Sequence, residues 1–354
     1  MMYISITFDY ELFFGENYGT YDEVLFKPTY ALIDALEKKG VSATFFADVC
    51  SIPLTEKYHQ DIYLEGFRRQ IQYMKRHGQD VQLHLHPHWY HSSWNGEQWE
   101  FSNAGYRLHD FVADGTINNI IADGIRFLKD NLLPIDEDYE CIAYRAGGFS
   151  LQPHKAVVAS LYDNGIRVDS SVVPQLCVDS NAHYYDYRHR LKAMNWHISE
   201  NAEWWEDSIA GKHLLEIPIA SIDKAAVSFA LRRILAPNTV KLNLGSKRGT
   251  YISLHTKTES KVKSYYKYFT GYNAISMDAY TADFLYTQTK RFYAKNKCDN
   301  QVVAIIGHPK LVTKKYIENL CNYIDLIKKD SRFEFVSIYD AYKQKKDSVD
   351  QTPT

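Results

Sequence analysis

The chain has 354 residues, of which 45% are hydrophobic and 24% are charged, and its formal net charge is −2 with histidine neutral. These values are typical of a soluble globular protein, and the near-zero net charge gives no sign of a nucleic acid as partner. Five scattered cysteines without a Cys-x-x-Cys pair favour a reducing compartment. No segment is apolar enough for a transmembrane helix, and the first residues lack the features of a signal peptide. We therefore expect a cytoplasmic protein, whose oligomeric state stays open.

Short apolar runs alternate along the chain with amphipathic stretches of helical period. We predict strands at Tyr3–Phe8, Ser42–Ala47, Val81–His84, Ile142–Arg145, Arg167–Asp169, Leu214–Pro218, Val302–His308 and Phe333–Ile338. We predict helices at Pro28–Lys39, Tyr58–Arg76, Ile117–Asn131, His154–Asn164, Met277–Asn296 and Lys314–Lys328. This alternation predicts an α/β protein with a parallel sheet, and seven or eight units predict a closed or nearly closed barrel. Its active site would lie in the loops that follow the strands.

We predict one domain over residues 1–345 and a disordered tail at 346–354. Three long loops, at about residues 89–106, 183–207 and 220–273, interrupt the pattern, and long loops in compact domains are usually functional. The chain has 28 tyrosines and 6 tryptophans, which fits binding to sugar rings, although biased composition explains it equally well. The stretch Lys261–Tyr272 could meet a phosphate and a sugar together, but a solvated amphipathic helix is the simpler interpretation.

The first chemical signal is the stretch "TFDYELF", which ends the first predicted strand. Side chains alternate along an extended chain, so Asp9 and Glu11 would share one face while Tyr10 points to the other. Taken alone, two solvated loop acids are the commoner explanation.

The second signal is "QDVQLHLHPHW", in which His84, His86 and His88 follow a strand. Three histidines in five residues are hard to explain by packing. Imidazole nitrogens and a carboxylate oxygen are ligands for a divalent transition metal, and two histidines plus one carboxylate leave positions open for water and substrate. Alternation places all three histidines on one face, so His86 could replace His84 or His88 as a ligand.

Three further strand ends carry polar residues. Arg145 is followed by Gly147 and Gly148, which allow a close approach of the backbone to a ligand, although a tight turn with a structural salt bridge is an equal alternative. Asp169 alone would be a cap or turn residue. The apolar run "VVAIIG" ends in His308, a place suited to a catalytic histidine, or to a histidine satisfied at the edge of the core.

In this order the motifs resemble those of the polysaccharide deacetylase family, carbohydrate esterase family 4. Thr-Phe-Asp-Tyr-Glu resembles the family's Thr-Phe-Asp-Asp, and "HLHPH" places His84 and His88 on its His-x-x-x-His. Arg145, Asp169 and His308 match its third, fourth and fifth motifs. "ATFF" and "FEFVSIYDAY" are also similar, so that the resemblance spans roughly residues 2–342. It implies a distorted (β/α) barrel of seven or eight units, of the deacetylase type.

The sequence departs from the family pattern in two places. Tyr10 stands where the family has its second aspartate, but some branches use Asp-x-Asp or Asp-x-Glu, and alternation independently selects Glu11. The third motif usually continues with proline and an aromatic residue, whereas this chain has Ala146 and two glycines. This leaves the oxyanion donor open, although a backbone N–H of Gly147 or Gly148 could serve.

The resemblance implies a metal-dependent hydrolase that removes an acetyl group from an N- or O-acetylated carbohydrate. Glu11, His84 and His88 would hold one divalent metal, Zn²⁺ first and Co²⁺, Ni²⁺ or Mn²⁺ as alternatives. Asp9 would be the general base, held ionised by Arg145, and His308 the general acid, kept protonated by Asp169. As substrate contacts we predict His86, Trp89, Gly147, Gly148 and Tyr187.

Two other functions stay open. Seven-stranded barrels of related architecture also hydrolyse glycosidic bonds with a carboxylate pair, although Asp9 and Glu11 would lie too close together to flank such a bond. A non-catalytic glycan-binding protein would be expected to lack catalytic residues, and here they are present. A cytoplasmic enzyme would act on an intracellular intermediate, such as a nucleotide- or lipid-linked sugar.

Overall fold

A computed structural model describes residues 1–15, 19–101, 104–180, 183–189, 194–224, 227–242, 271–297 and 299–350. Most of the basic aromatic stretch at 261–272, for which the sequence suggests a substrate contact, lies outside the described residues. No helix in the described part combines the length and the apolarity that a membrane crossing needs.

The centre of the molecule is a mixed sheet that contains nine strands in the described part of the chain. These strands span Met2–Tyr10 (β1), Thr44–Asp48 (β2), Asp80–Leu85 (β3), Ala143–Ala146 (β6), Val168–Asp169 (β7), Trp196–Ser199 (β10), His213–Glu216 (β11), Val302–Gly307 (β14) and Phe333–Phe335 (β15). Their spatial order is β10, β11, β7, β6, β3, β2, β1, β14, and β15 pairs with the first residues of β1. All pairs are parallel except β10 with β11.

The other strands in the described part of the chain form three small antiparallel pairs in the loops. These are Ser93–Trp94 (β4) with Trp99–Glu100 (β5), Cys177–Asp179 (β8) with Tyr184–Asp186 (β9), and Ser221–Asp223 (β12) with Tyr272–Ala274 (β13). The three long loops that the sequence predicts therefore carry local structure of their own where they are described.

The α-helices connect the strands and cover the outside of the sheet. They span Lys27–Lys38 (α1), Ile52–Lys57 (α2), Asp61–Arg76 (α3), Ile117–Leu132 (α4), His154–Asp163 (α5), Val227–Leu235 (α6), Ala282–Asn296 (α7), Lys314–Lys328 (α8) and Ile338–Asp350 (α9). Their buried apolar residues form one large core with the outer face of the sheet. A smaller cluster, which includes Phe46, Val168, Leu215 and Ile338, packs together at the start of α9.

The sheet is strongly curled and forms a half-barrel, which confirms the predicted α/β architecture. Its two ends approach each other where Ile219 makes an isolated parallel bridge to Ala304 of β14, and Ser276 makes another to Ile306. Because most strands are parallel, their carboxyl ends meet at one rim, and the polar residues of the sequence motifs follow these ends.

The structure differs from the sequence prediction at several elements, among them the predicted helix at Met277–Asn296, which begins only at Ala282. The edge strand β10 was not predicted, because its residues lie in a loop rich in aromatic and polar side chains. The predicted helix at Tyr58–Arg76 begins only at Asp61, after the separate short helix α2. The helix α9 continues to Asp350, and the disorder expected over residues 346–354 stays a prediction. Ile338 and Ala341 anchor the first turn of that helix in the smaller core cluster.

Candidate active site

Asp9 and Glu11 lie at the carboxyl end of β1, and their side chains are buried. Tyr10 between them points to the helix layer, where its hydroxyl donates a hydrogen bond of 2.7 Å to Gln70 and its ring packs against Phe67 of α3. The alternation that the sequence predicts therefore sends the tyrosine into the outer core and leaves the two acids on the other side.

Asp9 forms a buried ion pair with Arg145. Nη1 of Arg145 donates to Oδ1 of Asp9 at 2.7 Å and to the hydroxyl of Thr7 at 2.8 Å, while its Nε and Nη2 donate to the carbonyl and the hydroxyl of Ser170. Burial alone would raise the pKa of Asp9, but Arg145 and the nearby His84 and His308 outweigh it and lower that pKa. The carboxylate is thus held ionised, with one oxygen fixed by the guanidinium.

Glu11 is brought together with two of the three histidines. Its Oε2 lies 3.1 Å from Nε2 of His84 and 2.5 Å from Nε2 of His86. Burial would raise the pKa of Glu11, but Lys310, His86 and His84 hold it well below its usual range. Glu11, His84 and His86 offer ligand atoms that all lie within 4.8 Å of one another.

His86, rather than His88, stands beside Glu11 and His84, which differs from the predicted ligand set. The strand β3 ends at Leu85, and a short 3₁₀-helix over Pro87–His91 turns the chain, so the alternation ends after His86. His88 packs instead against Tyr106 and Phe14, with ring centroids 4.8 and 4.6 Å away. Its ring nitrogens have no hydrogen-bond partner among the described residues, and burial holds its pKa well below the usual value, so it is neutral.

The donor set at Glu11 fits a divalent metal. Nδ1 of His84 lies 2.8 Å from the carbonyl oxygen of Arg145, and a neutral imidazole must donate there, which leaves the Nε2 lone pair facing Glu11. Lone pairs of an imidazole and a carboxylate repel each other unless a cation, either a proton or a metal, lies between them. In the metal-free chain a proton fills this role, because Asp9 and Glu11 raise the pKa of His84 to about 9 against the lowering effect of burial.

Lys310 is a member of this site that the sequence reasoning missed. Its side chain is fully buried, and its Nζ donates to Oε1 of Glu11 at 2.5 Å and to the carbonyl oxygen of Leu12 at 3.0 Å. The ammonium and the imidazoles therefore hold different oxygens of Glu11. Its position two residues after His308 is visible in the sequence, but a lysine after a strand is usually a solvated one.

His308 lies at the carboxyl end of β14, within reach of both acids. Its Nε2 is 3.7 Å from Oδ2 of Asp9 and 3.8 Å from Oε1 of Glu11. Its Nδ1 is 2.7 Å from Oδ2 of Asp278, whose Oδ1 accepts the backbone N–H of His308. Burial would lower the pKa of His308, but Asp278 and Asp9 raise it, which favours the protonated ring.

Asp278, not Asp169, is therefore the carboxylate that orients His308. Asp169 is fully buried in β7, where it accepts hydrogen bonds from the hydroxyl and the N–H of Ser171. It lies in register with Glu216 of β11, and burial raises the pKa of both groups, that of Glu216 to well above its usual value. The prediction for Asp169 failed because a position at a strand end does not determine which neighbour the side chain meets.

Trp89 and Tyr187, predicted as substrate contacts, hold loops together instead. The buried indole N–H of Trp89 donates to Oδ2 of Asp48 at 2.8 Å, and Oδ1 of Asp48 accepts the backbone N–H of His86. The buried hydroxyl of Tyr187 donates to the carbonyl of Phe149 and accepts from the N–H of Leu151. Neither side chain has exposed surface to offer a substrate.

The glycines after β6 allow two histidines to approach the backbone closely. A Cβ on Gly147 would come within 2.7 Å of Nδ1 of His86, and one on Gly148, which has φ +57°, within 2.3 Å of the ring of His183. His183 lies 3.0 Å from the hydroxyl of Ser150. Burial and the neighbouring His86 lower its pKa to about 4, so it is neutral.

No protein-family model matches the chain, and no curated protein matches it in sequence. A candidate polysaccharide deacetylase of Mycobacterium smegmatis matches with a TM-score of 0.51 at 13% identity, over 99% of this chain and 92% of that one. A candidate polysaccharide deacetylase of Pseudomonas aeruginosa gives 0.49 at 11%, over 97% and 90%, and the allantoinase PuuE gives 0.48 at 11%, over 97% and 89%. The match to the Mycobacterium smegmatis structure supports the fold, a distorted barrel of the deacetylase type.

Proposed function

We propose that this protein is a metal-dependent hydrolase that removes an acetyl or similar acyl group from an N- or O-acylated carbohydrate. The observation that carries the proposal is the joint placement of three groups at one rim of the barrel. These are an ionised Asp9 paired with Arg145, a carboxylate and two imidazoles able to hold a metal, and His308 paired with Asp278.

Glu11, His84 and His86 would hold the metal, and Zn²⁺ suits this mixture of nitrogen and oxygen ligands. When bound, a metal here supplies Lewis-acid polarisation of the acyl carbonyl and a lowered pKa of water. Oδ2 of Asp9 lies 4.0 Å from Nε2 of His84, so this chemistry would act next to a group able to accept a proton.

Asp9 is the general base in this proposal, because its lowered pKa leaves it ionised at neutral pH and Arg145 occupies only Oδ1. Oδ2 is the oxygen nearer to His308, and it would accept a proton from the attacking water. His308 would then donate a proton from Nε2 to the leaving amine or hydroxyl, while Asp278 stabilises the imidazolium at Nδ1.

The carboxylates do not suit the rival role in glycoside hydrolysis. That reaction needs one protonated carboxylic acid with a raised pKa, whereas the pKa of both Asp9 and Glu11 is lowered. A binding protein without catalysis is the second rival. It would have no need for a base fixed by Arg145 and an imidazole fixed by Asp278, and only an activity assay separates the two.

The experiment is an assay for acetate release by the zinc-loaded protein from N-acetylated and O-acetylated oligosaccharides, repeated after chelation and after metal is restored. We expect release that is lost with the metal and regained with it. Metal-independent release, or none from the metal-loaded protein across both substrate classes, would contradict the proposal. The cytoplasmic location and an intracellular sugar intermediate as substrate stay predictions.

A further inference from the structure

Lys310 is a fixed positive charge inside the candidate metal centre. Its side chain has no exposed surface, and its Nζ contacts Oε1 of Glu11, the carbonyl of Leu12 and the rings of Phe13 and Phe14, whose centroids lie 5.4 and 5.2 Å away. We propose that Lys310 lowers the affinity of this centre for a divalent cation, so that the ion binds reversibly. This inference rests on the proposed function, because it concerns the same metal centre.

The geometry gives Lys310 this role because the ammonium and the two imidazoles contact different oxygens of the same carboxylate, that of Glu11. Lys310 holds Oε1, while His84 and His86 lie 3.1 and 2.5 Å from Oε2. A cation held by those imidazoles would therefore share one carboxylate with the ammonium. The residues that follow β1, Leu12 to Phe14, enclose the buried side chain of Lys310 and keep its ammonium beside Glu11.

Two physical effects of Lys310 both lower the affinity of the centre for a divalent cation. Its charge repels a second cation at short range, and burial leaves this repulsion poorly screened by water or salt. It also stabilises the ionised Glu11 in the metal-free protein, and a metal gains less from a carboxylate that already has a cationic partner. Arg145 similarly neutralises Asp9, so the centre has one fixed cation for each of its two carboxylates.

The test replaces Lys310 with methionine, which has a similar length and no charge, and measures the dissociation constants of Zn²⁺ and Co²⁺ by competition with a chromophoric chelator. We expect Lys310→Met to bind both ions at least about tenfold more tightly than the wild type. As the control, Lys39→Met removes a lysine paired with Asp325 at 2.6 Å on the protein surface and should leave both constants unchanged. If Lys310 only positioned Glu11, its loss would weaken the binding of both ions instead of tightening it.

Equal or weaker binding by Lys310→Met would overturn the inference. Lys310→Gln, which can still donate a hydrogen bond to Glu11, is the second variant and should also bind more tightly. If neither variant folds, diffraction from zinc-loaded wild-type crystals decides. Nζ kept on Oε1 beside a bound ion is expected, and an ammonium displaced from Glu11 contradicts the inference.

These measurements do not depend on turnover, so the two proposals fail separately. A wild type that binds zinc but releases no acetate refutes the proposed function and leaves the test of Lys310 intact. Acetate release by the wild type, combined with unchanged metal affinity in Lys310→Met, refutes only the inference about Lys310.

Discussion

The barrel contains two pairs of buried carboxyl groups near the ends of its strands, and they differ in charge. Asp9 and Glu11 are surrounded by Arg145, Lys310 and imidazoles, and the pKa of each is lowered despite burial. Asp169 and Glu216 accept their hydrogen bonds from neutral groups, and burial raises the pKa of each.

The difference shows that burial alone does not make a carboxyl group reactive. Both pairs lie at the ends of strands of one sheet and are removed from water. Only in the first pair does each carboxylate form an ion pair with a buried cation, Arg145 or Lys310, that outweighs the effect of burial on its pKa. Ionised oxygens can bind a metal or accept a proton, whereas a carboxyl group with a raised pKa, such as Glu216, tends to keep its proton and to donate it in a hydrogen bond. The fixed cations, rather than the acids, distinguish the candidate active site from a structural pair.

The largest expected effect comes from removing the charge of Asp9. Asp9→Asn should reduce acetate release by about 10²- to 10⁴-fold, because the attacking water loses its base, while bound zinc per chain, measured by atomic emission, stays the same. Asp169→Asn is the matched change in the other pair and should keep activity within about tenfold. Equal losses in the two variants would break the contrast between the pairs.

The second effect separates the two histidines that compete for a metal. His86→Ala should weaken zinc binding by more than about a hundredfold, since even groups that only orient a ligand cost ten- to a hundredfold when removed. His88→Ala should change it by less than about tenfold, because its ring lies among Tyr106 and Phe14. Zinc affinity is measured by chelator competition. A larger loss of affinity in His88→Ala than in His86→Ala would show that His88 is the ligand.

The third effect concerns stability and pH. The pKa of Glu216 is well above its unfolded value of about 4.3, so as pH rises above 4.3 the unfolded chain releases this proton while the folded protein keeps it. The contribution of Glu216 to wild-type stability should therefore fall as pH rises, until the folded pKa is reached. Glu216→Gln should remove this contribution, so that the free energy of unfolding falls less steeply with pH. The difference amounts to about 1.4 kcal/mol for each pH unit between the unfolded and the folded pKa of Glu216. Parallel curves from urea unfolding between pH 4.5 and 7.5 would show that Glu216 does not keep its proton in the folded protein.

The smallest effect is expected at Trp89. Trp89→Phe keeps the buried ring but removes the hydrogen bond to Asp48, which should lower the free energy of unfolding by about 1–2 kcal/mol. KM for the acetylated sugar should stay within twofold, because the side chain is fully buried. A large rise in KM without loss of stability would return Trp89 to the substrate site.

The sequence predicts the barrel well because its signals are local. Apolar runs and helical periodicity identify the strands that build the sheet, and alternation within β1 is enough to place Asp9 and Glu11 together, away from Tyr10. The antiparallel strand β10 has no such pattern, since its neighbours in the sequence are polar and aromatic loop residues.

The partners of the site residues are harder to predict because they depend on chain turns and distant contacts. The choice between His86 and His88 is decided by one turn at Pro87. Asp278 reaches His308 only because the chain around Ser276 is bridged to β14. Lys310 could not be predicted either, since no sequence pattern distinguishes a buried lysine from a solvated one before its partner is known.

The most direct test of the central claim is anomalous diffraction at the zinc absorption edge from crystals of the metal-loaded protein. We expect one strong peak among Glu11, His84 and His86, with Asp9 still paired to Arg145. Crystals that take up no zinc at this rim, or a peak on His88 with His86 unbound, would contradict it.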